Sequence, residues 1–94
     1  MNVSARAEKA LVKLAKTGRH SKDSVRVEII SGCCSETVIF VAEEKRNEDK
    51  AVYSLKVNVY AGPDDFSRMS GAEVDFDLGG FIVRSETLQA FCQV

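Results

Sequence analysis

Residues 4–17 read "SARAEKALVKLAKT", and their apolar positions recur at helical spacing. Val3, Ala7, Ala10, Leu11, Leu14 and Ala15 share one side of a 3.6-residue wheel, while Arg6, Lys9, Lys13 and Lys16 share the other. Ser4 is placed to cap the first turn and Gly18 to follow the last, with Lys16 near the negative end of the helix dipole. After a polar link the period drops to two. Val25, Val27 and Ile29 alternate with Arg26 and Glu28, which predicts a strand running into the turn "SGCCS". "TVIFVA", residues 37–42, is apolar on both faces and predicts a central strand. "EEKRNEDK", residues 43–50, predicts a solvated, charged hairpin loop. "AVYSLKVNVYA" then places Leu55, Val57, Val59 and Ala61 on one face, and "GPDD" at 62–65 signals a turn. Val74, Phe76 and Leu78 alternate with Glu73, Asp75 and Asp77, a strand with one wet face, and "GG" at 79–80 leads into "FIVR". The tail "SETLQAFCQV" fits a short helix or an extended end equally well. The sum is one helix followed by mainly β structure.

Length and composition narrow the class. The chain has 94 residues, room for one domain spanning 1–94. A domain of this size buries about 60–65% of the surface its unfolded chain exposes, so its core is modest. With 45% apolar residues, one Pro and mixed charge, the profile is globular. No apolar run approaches the roughly 18 residues of a membrane span, and the first residues lack the apolar centre of a secretory signal. The expected location is the cytoplasm, with no membrane partner. The net charge of −1 hides an asymmetry: residues 1–22 carry six of the 13 basic side chains and one of the 14 acids. That balance is not the one a nucleic-acid-binding domain shows. The basic helix stripe could dock an acidic partner or act in organelle targeting, but a solvated helix face is the reading preferred here.

The candidate chemistry lies in the three cysteines, Cys33, Cys34 and Cys92. Their odd number argues against a closed disulfide framework, and in a reducing cytosol the reactive and metal-binding uses of a thiol gain weight. Within a regular strand, Cys33 and Cys34 would face opposite ways and could not serve one ion. Gly32 permits a bend that brings both thiols toward one point. An adjacent disulfide would be strained, because neighbouring Cα atoms sit about 3.8 Å apart and disulfides prefer roughly 4.4–6.8 Å. Such a bond suits a redox switch better than a staple. An iron–sulfur cluster takes four thiolates, so three per chain would need a second copy. Zinc is disfavoured by the absence of C-x-x-C and by a single histidine, His20, in a polar link. Burial as small apolar residues is the ordinary alternative for any one of the three.

The order of these features resembles the HesB-like family, the A-type carriers of iron–sulfur cluster assembly. "VRVEIISGCCSE" stands where that family has its first cysteine motif, and Cys33 takes the matching position. "LKVNVYAGPDDFSRMSGAEVDFDLGGFIVR" is similar to the later segment: a strand, a short turn-helix, a strand, a glycine pair and a phenylalanine-bearing strand. Cys92 falls where the tail cysteines begin, although this chain reads "CQV" where the carriers have C-G-C. Cys34 replaces the Ser that follows the first cysteine. The adjacent pair resembles a divergent branch in which the second position can be selenocysteine.

The resemblance implies an α+β, predominantly β fold, with an N-terminal helix packed on a compact, twisted, mixed β-sandwich. It also implies a non-enzymatic protein that binds iron or an iron–sulfur cluster. Cys33 would be the principal ligand, Cys34 an extra or alternative one and Cys92 a third, with a homodimer completing the site. The implied partners are iron–sulfur assembly or recipient proteins, not nucleic acid. Two other classes remain open at this stage: a redox or chalcogen-binding thiol protein using the adjacent pair, and an interaction module using the basic helix face. No catalytic constellation is visible, and Glu73, Asp75 and Asp77 read as a solvated strand face.

Overall fold

The computed structural model describes residues 1–18, 24–32 and 36–85, together with the backbone of 91–93. A short strand β1 (Asn2–Val3) precedes helix α1 (Ala5–Ala15), and eight further elements follow. They are β2 (Ser24–Ser31), β3 (Glu36–Val41), β4 (Lys50–Ser54), β5 (Asn58–Ala61), α2 (Pro63–Ser70), β6 (Glu73–Asp77), β7 (Gly80–Arg84) and β8 (Phe91–Gln93). The strands form two mixed sheets, one ordered β1-β6-β7 and the other β4-β5-β2-β3-β8. The fold is therefore α+β and mostly β, as the resemblance implies.

Ser4 caps α1 as its sequence position predicts: its Oγ accepts from the Ala7 backbone N at 3.2 Å. The same hydroxyl donates to Asp75 on β6 at 2.6 Å, so the cap also fastens the helix start to the smaller sheet. Ala7, Leu11 and Ala15 enter the core. There they join Val25, Val27, Val38, Phe40, Val59 and Ala61 of the larger sheet and Val57 just before β5, with Val74 and Val83 of the smaller sheet. Helix α1 packs against β6 and β2, one strand from each sheet. The Tyr53 hydroxyl donates to Glu8, tying α1 to β4, and burial together with that carboxylate pushes the phenol up to about 12.

Several local expectations change in the folded chain. The segment 51–61 is not one strand: β4 and β5 fold back as an antiparallel pair with a register shift between Ala51 and Tyr53. Leu55 lies in the bend between them and is 77% exposed, while Val57, Val59 and Ala61 are buried as the alternation predicts. Leu78 leaves the strand pattern too. It sits at φ 51 beside Gly79 at φ 79, in the turn joining β6 to β7, and is fully exposed. Two consecutive positive φ values describe a type I′ hairpin turn, whose sterics favour Asn-Gly.

The charged stretch 43–50 is the largest departure. It does not join paired strands, because β3 and β4 are separated in the sheet by β2 and β5. The chain must cross those strands, and Asp49 is buried in doing so. Arg26 of β2, itself 5% exposed, donates from Nε to Asp49 Oδ2 at 2.6 Å and from Nη2 to Oδ1 at 3.0 Å. Its Nη1 donates to Glu28 at 2.6 Å. The Ser24 hydroxyl holds the start of the loop by donating to the Glu43 carbonyl at 2.9 Å. Asp75 is likewise no free member of a wet face, since it accepts both Nε and Nη2 of Arg6 at 2.7 Å.

Removing Asp49 would leave the Arg26 guanidinium buried without its main counter-charge, a loss of about 3–5 kcal/mol. Urea unfolding of Asp49→Ala at neutral pH is expected to show it. The Arg26 hydrogen bonds hold the Asp49 carboxyl below its ordinary 3.8. Its contribution is therefore complete above that pH and lost as acid protonates the native carboxylate. The stability gap between wild type and Asp49→Asn should narrow below about pH 4. Leu78→Asn, which suits the left-handed turn, is expected to raise stability by about 1 kcal/mol, read as a higher Tm.

Candidate functional site

Strands β2 and β3 pair antiparallel from Arg26↔Val41 to Ser31↔Glu36 without a break. The chain between these two strands, residues 32–35, carries Cys33 and Cys34 in sequence. Cys33, Cys34 and Ser35 lie outside the described residues, as does His20. The sheet on either side of them is defined. Ile30, the residue before Ser31, is 50% exposed.

The backbone of Cys92 belongs to β8, which settles the tail as an extended end over 91–93. β8 runs parallel to β3 with Glu36↔Phe91, Thr37↔Cys92 and Val38↔Gln93 in register. Thr37 faces Ile30 across its other edge. Ile30, Thr37 and Cys92 thus form one row across three strands, with neighbours about 4.8 Å apart. That row lies at the hairpin end of the sheet. The third cysteine reaches this end by strand pairing.

Helix α2 flanks the same end. Its signature is legible in "GPDDFSRMSG": Gly62 at the N-cap, Pro63 in the first turn with Asp64 and Asp65, and Arg68 in the last turn. Reading 62–65 only as a turn stops short of this helix, whereas the family resemblance includes it. Arg68 donates to Glu36, the first residue of β3 after the loop. That carboxylate raises the Arg68 guanidinium further above its already high value. Ser31, the last residue of β2, donates to the other Glu36 oxygen at 3.4 Å. Asp65 accepts the Ile29 backbone N at 3.4 Å, and Ser85, just beyond β7, donates to the Arg68 carbonyl at 3.4 Å. Both stems of the hairpin and the end of β7 are thereby tied to α2. The Glu36–Arg68 pairing joins residues 32 apart, a separation at which sequence spacing carries no signal.

Among the described residues no three His, Cys, Asp or Glu side chains are grouped to hold a metal ion. Of Glu73, Asp75 and Asp77, Asp75 and Asp77 both face the Arg6 guanidinium, at 2.7 and 4.0 Å, which supplies the positive charge there. No helix among the described residues is long and apolar enough to cross a membrane.

No family model matches the chain, and no curated protein matches it in sequence. Solved structures do match. Escherichia coli SufA, a protein involved in biosynthesis of iron–sulfur clusters, aligns with a TM-score of 0.69 at 18% identity, over 97% of this chain and 84% of that one. IscA, crystallised with a 2Fe–2S cluster, aligns with a TM-score of 0.69 at 22% identity, over 97% of this chain and 89% of that one. A protein from Aquifex aeolicus, solved by NMR in solution, aligns with a TM-score of 0.64 at 23% identity, over 90% of each chain. At these identities the likeness is one of architecture: the chain has the fold of SufA and IscA.

Proposed function

We propose that this chain, as a single HesB-like domain over 1–94, is a non-enzymatic thiol protein that binds iron or an iron–sulfur cluster as cargo. Cys33 is the principal ligand, Cys34 an extra or alternative one, and Cys92 the third. The observation that supports this reading is the β3–β8 register, which pairs the Cys92 backbone with Thr37, one residue from the Ser31↔Glu36 pair that flanks Cys33 and Cys34 in sequence. Thiolates are the soft donors that iron–sulfur clusters take, four at a time. One chain offers three, so two copies bring two or more thiols each to a shared site. The fold likeness to SufA and IscA supports the reading. A carrier of this kind would exchange its cargo with assembly or recipient proteins.

Anaerobic incubation with ferrous iron and sulfide tests the proposal, with iron and labile sulfide counted per chain and sulfur-to-iron charge transfer read in the visible spectrum. Cys33→Ser is expected to abolish loading. Cys92→Ser should weaken iron binding by more than the roughly 10–100-fold that follows loss of an outer-shell partner. Cys34→Ser should weaken it less than Cys33→Ser does. Wild-type loading in all three variants would overturn the assignment. Failure to load, combined with loss of two hydrogens per chain under mild oxidation, would instead identify Cys33 and Cys34 as a redox pair.

A further inference from the structure

Helix α1 has a wider apolar stripe than the sheets beneath it cover. Ala7, Leu11 and Ala15 are buried, but Ala10 and Leu14 on the same stripe are only half-buried. With Phe76 of β6 and Phe81 of β7 they floor an open groove of about 360 Å³, rimmed by Arg6, Lys9 and Lys13. The floor is continuous with the core: Phe81 packs edge to face with Phe76, centroids 5.0 Å apart, and lies 4.8 Å from buried Phe40. Arg6 is already committed to Asp75. Lys9 and Lys13 are exposed, and among the described residues neither has a carboxylate within 4.0 Å. The hairpin that supplies both phenylalanines ends in Leu78, fully exposed in its left-handed turn.

We infer that this groove docks an acidic segment of a partner protein. Apolar side chains of the segment enter between α1 and the β6–β7 hairpin, and its carboxylates meet Lys9 and Lys13. Charge complementarity selects the occupant. The two lysines supply unneutralised positive charge at the edge of an aromatic floor, an arrangement that rewards an apolar side chain beside a carboxylate. An extended polyanion fits poorly, because residues 23–94 carry 13 acids against seven basic side chains and would repel nucleic acid or an anionic bilayer beyond the helix face. The groove uses none of the cysteines, so it stands or falls apart from the cargo site.

The test is fluorescence anisotropy of the whole chain titrated onto a labelled peptide of glutamates interspersed with leucines. Saturable binding is expected, weakened by added salt, and weakened again when the peptide's leucines are changed to serine. Lys9→Glu/Lys13→Glu, at two exposed positions where folding is checked by circular dichroism, should weaken it about tenfold or more. Cys33→Ser should bind as wild type does. Absence of saturable binding, or equal binding by the charge-reversed variant, would overturn the inference. So would tighter lysine-dependent binding of a single-stranded oligodeoxynucleotide or of phosphatidylglycerol vesicles. A lysine-dependent self-association seen by light scattering would overturn it as well, by making the groove an interface between copies.

Discussion

Strand β2 carries a guanidinium through the most buried part of the larger sheet, and neutralising that charge constrains everything around it. β2 is hydrogen-bonded to β5 on one side and β3 on the other, and Ser24 to Val27 are all buried. An isolated cation there would not be tolerated. Its partner comes from the loop that must travel from β3 across β2 and β5 to reach β4. One ion pair therefore solves two problems: it satisfies Arg26 and pins a crossing loop that its own sequence would leave in solvent. With the loop pinned, the β4–β5 pair closes the sheet on that side.

The same strand sets the geometry of the cysteine end. From Arg26↔Val41 the β2–β3 ladder runs to Ser31↔Glu36 without slipping, so the two stems that flank the cysteines in sequence are in fixed register. β3 then templates β8, and the tail arrives in register with the hairpin stem. The pair formed by Glu36 and Arg68 anchors that stem to α2. Backbone pairing, which needs no particular side chain, is what brings the chain's last strand to this end of the sheet.

Charged side chains fasten elements that lie far apart in the chain. Arg6 joins α1 to β6, Arg26 joins β2 to the crossing loop, and Arg68 joins α2 to β3. Each arginine has a carboxylate partner, and two of the three grip it with two nitrogens, the fork geometry that makes arginine suited to such joints. The lysines of α1 are different. Lys9 and Lys13 hold nothing within the described chain, beside an aromatic floor that the fold leaves partly uncovered. The basic stripe of the helix thus divides into one member that builds the structure and others that form no ion pair among the described residues.

Much of the architecture was legible in the sequence, because periodicity reports local backbone geometry. The 3.6-residue spacing of Ala7, Leu11 and Ala15, the cap at Ser4, and the alternation through Val25 and Val27 or Val57 to Ala61 depend on short-range sterics and on which face is buried. The position of Cys33 and Cys34 between two strands was readable for the same reason. Alternation does not say where a strand stops: it puts Leu55 and Leu78 on the inward faces, and turn geometry puts them in solvent. Nor could spacing pair Arg26 with Asp49, Glu36 with Arg68, or Thr37 with Cys92, since each pairing depends on which strands become neighbours. Residue order determined the elements and the thiol chemistry on offer. Only the tertiary structure decided which charges are buried, and that the backbone of the last cysteine pairs with Thr37 near the start of β3, because strand order and register arise from contacts distant in the chain.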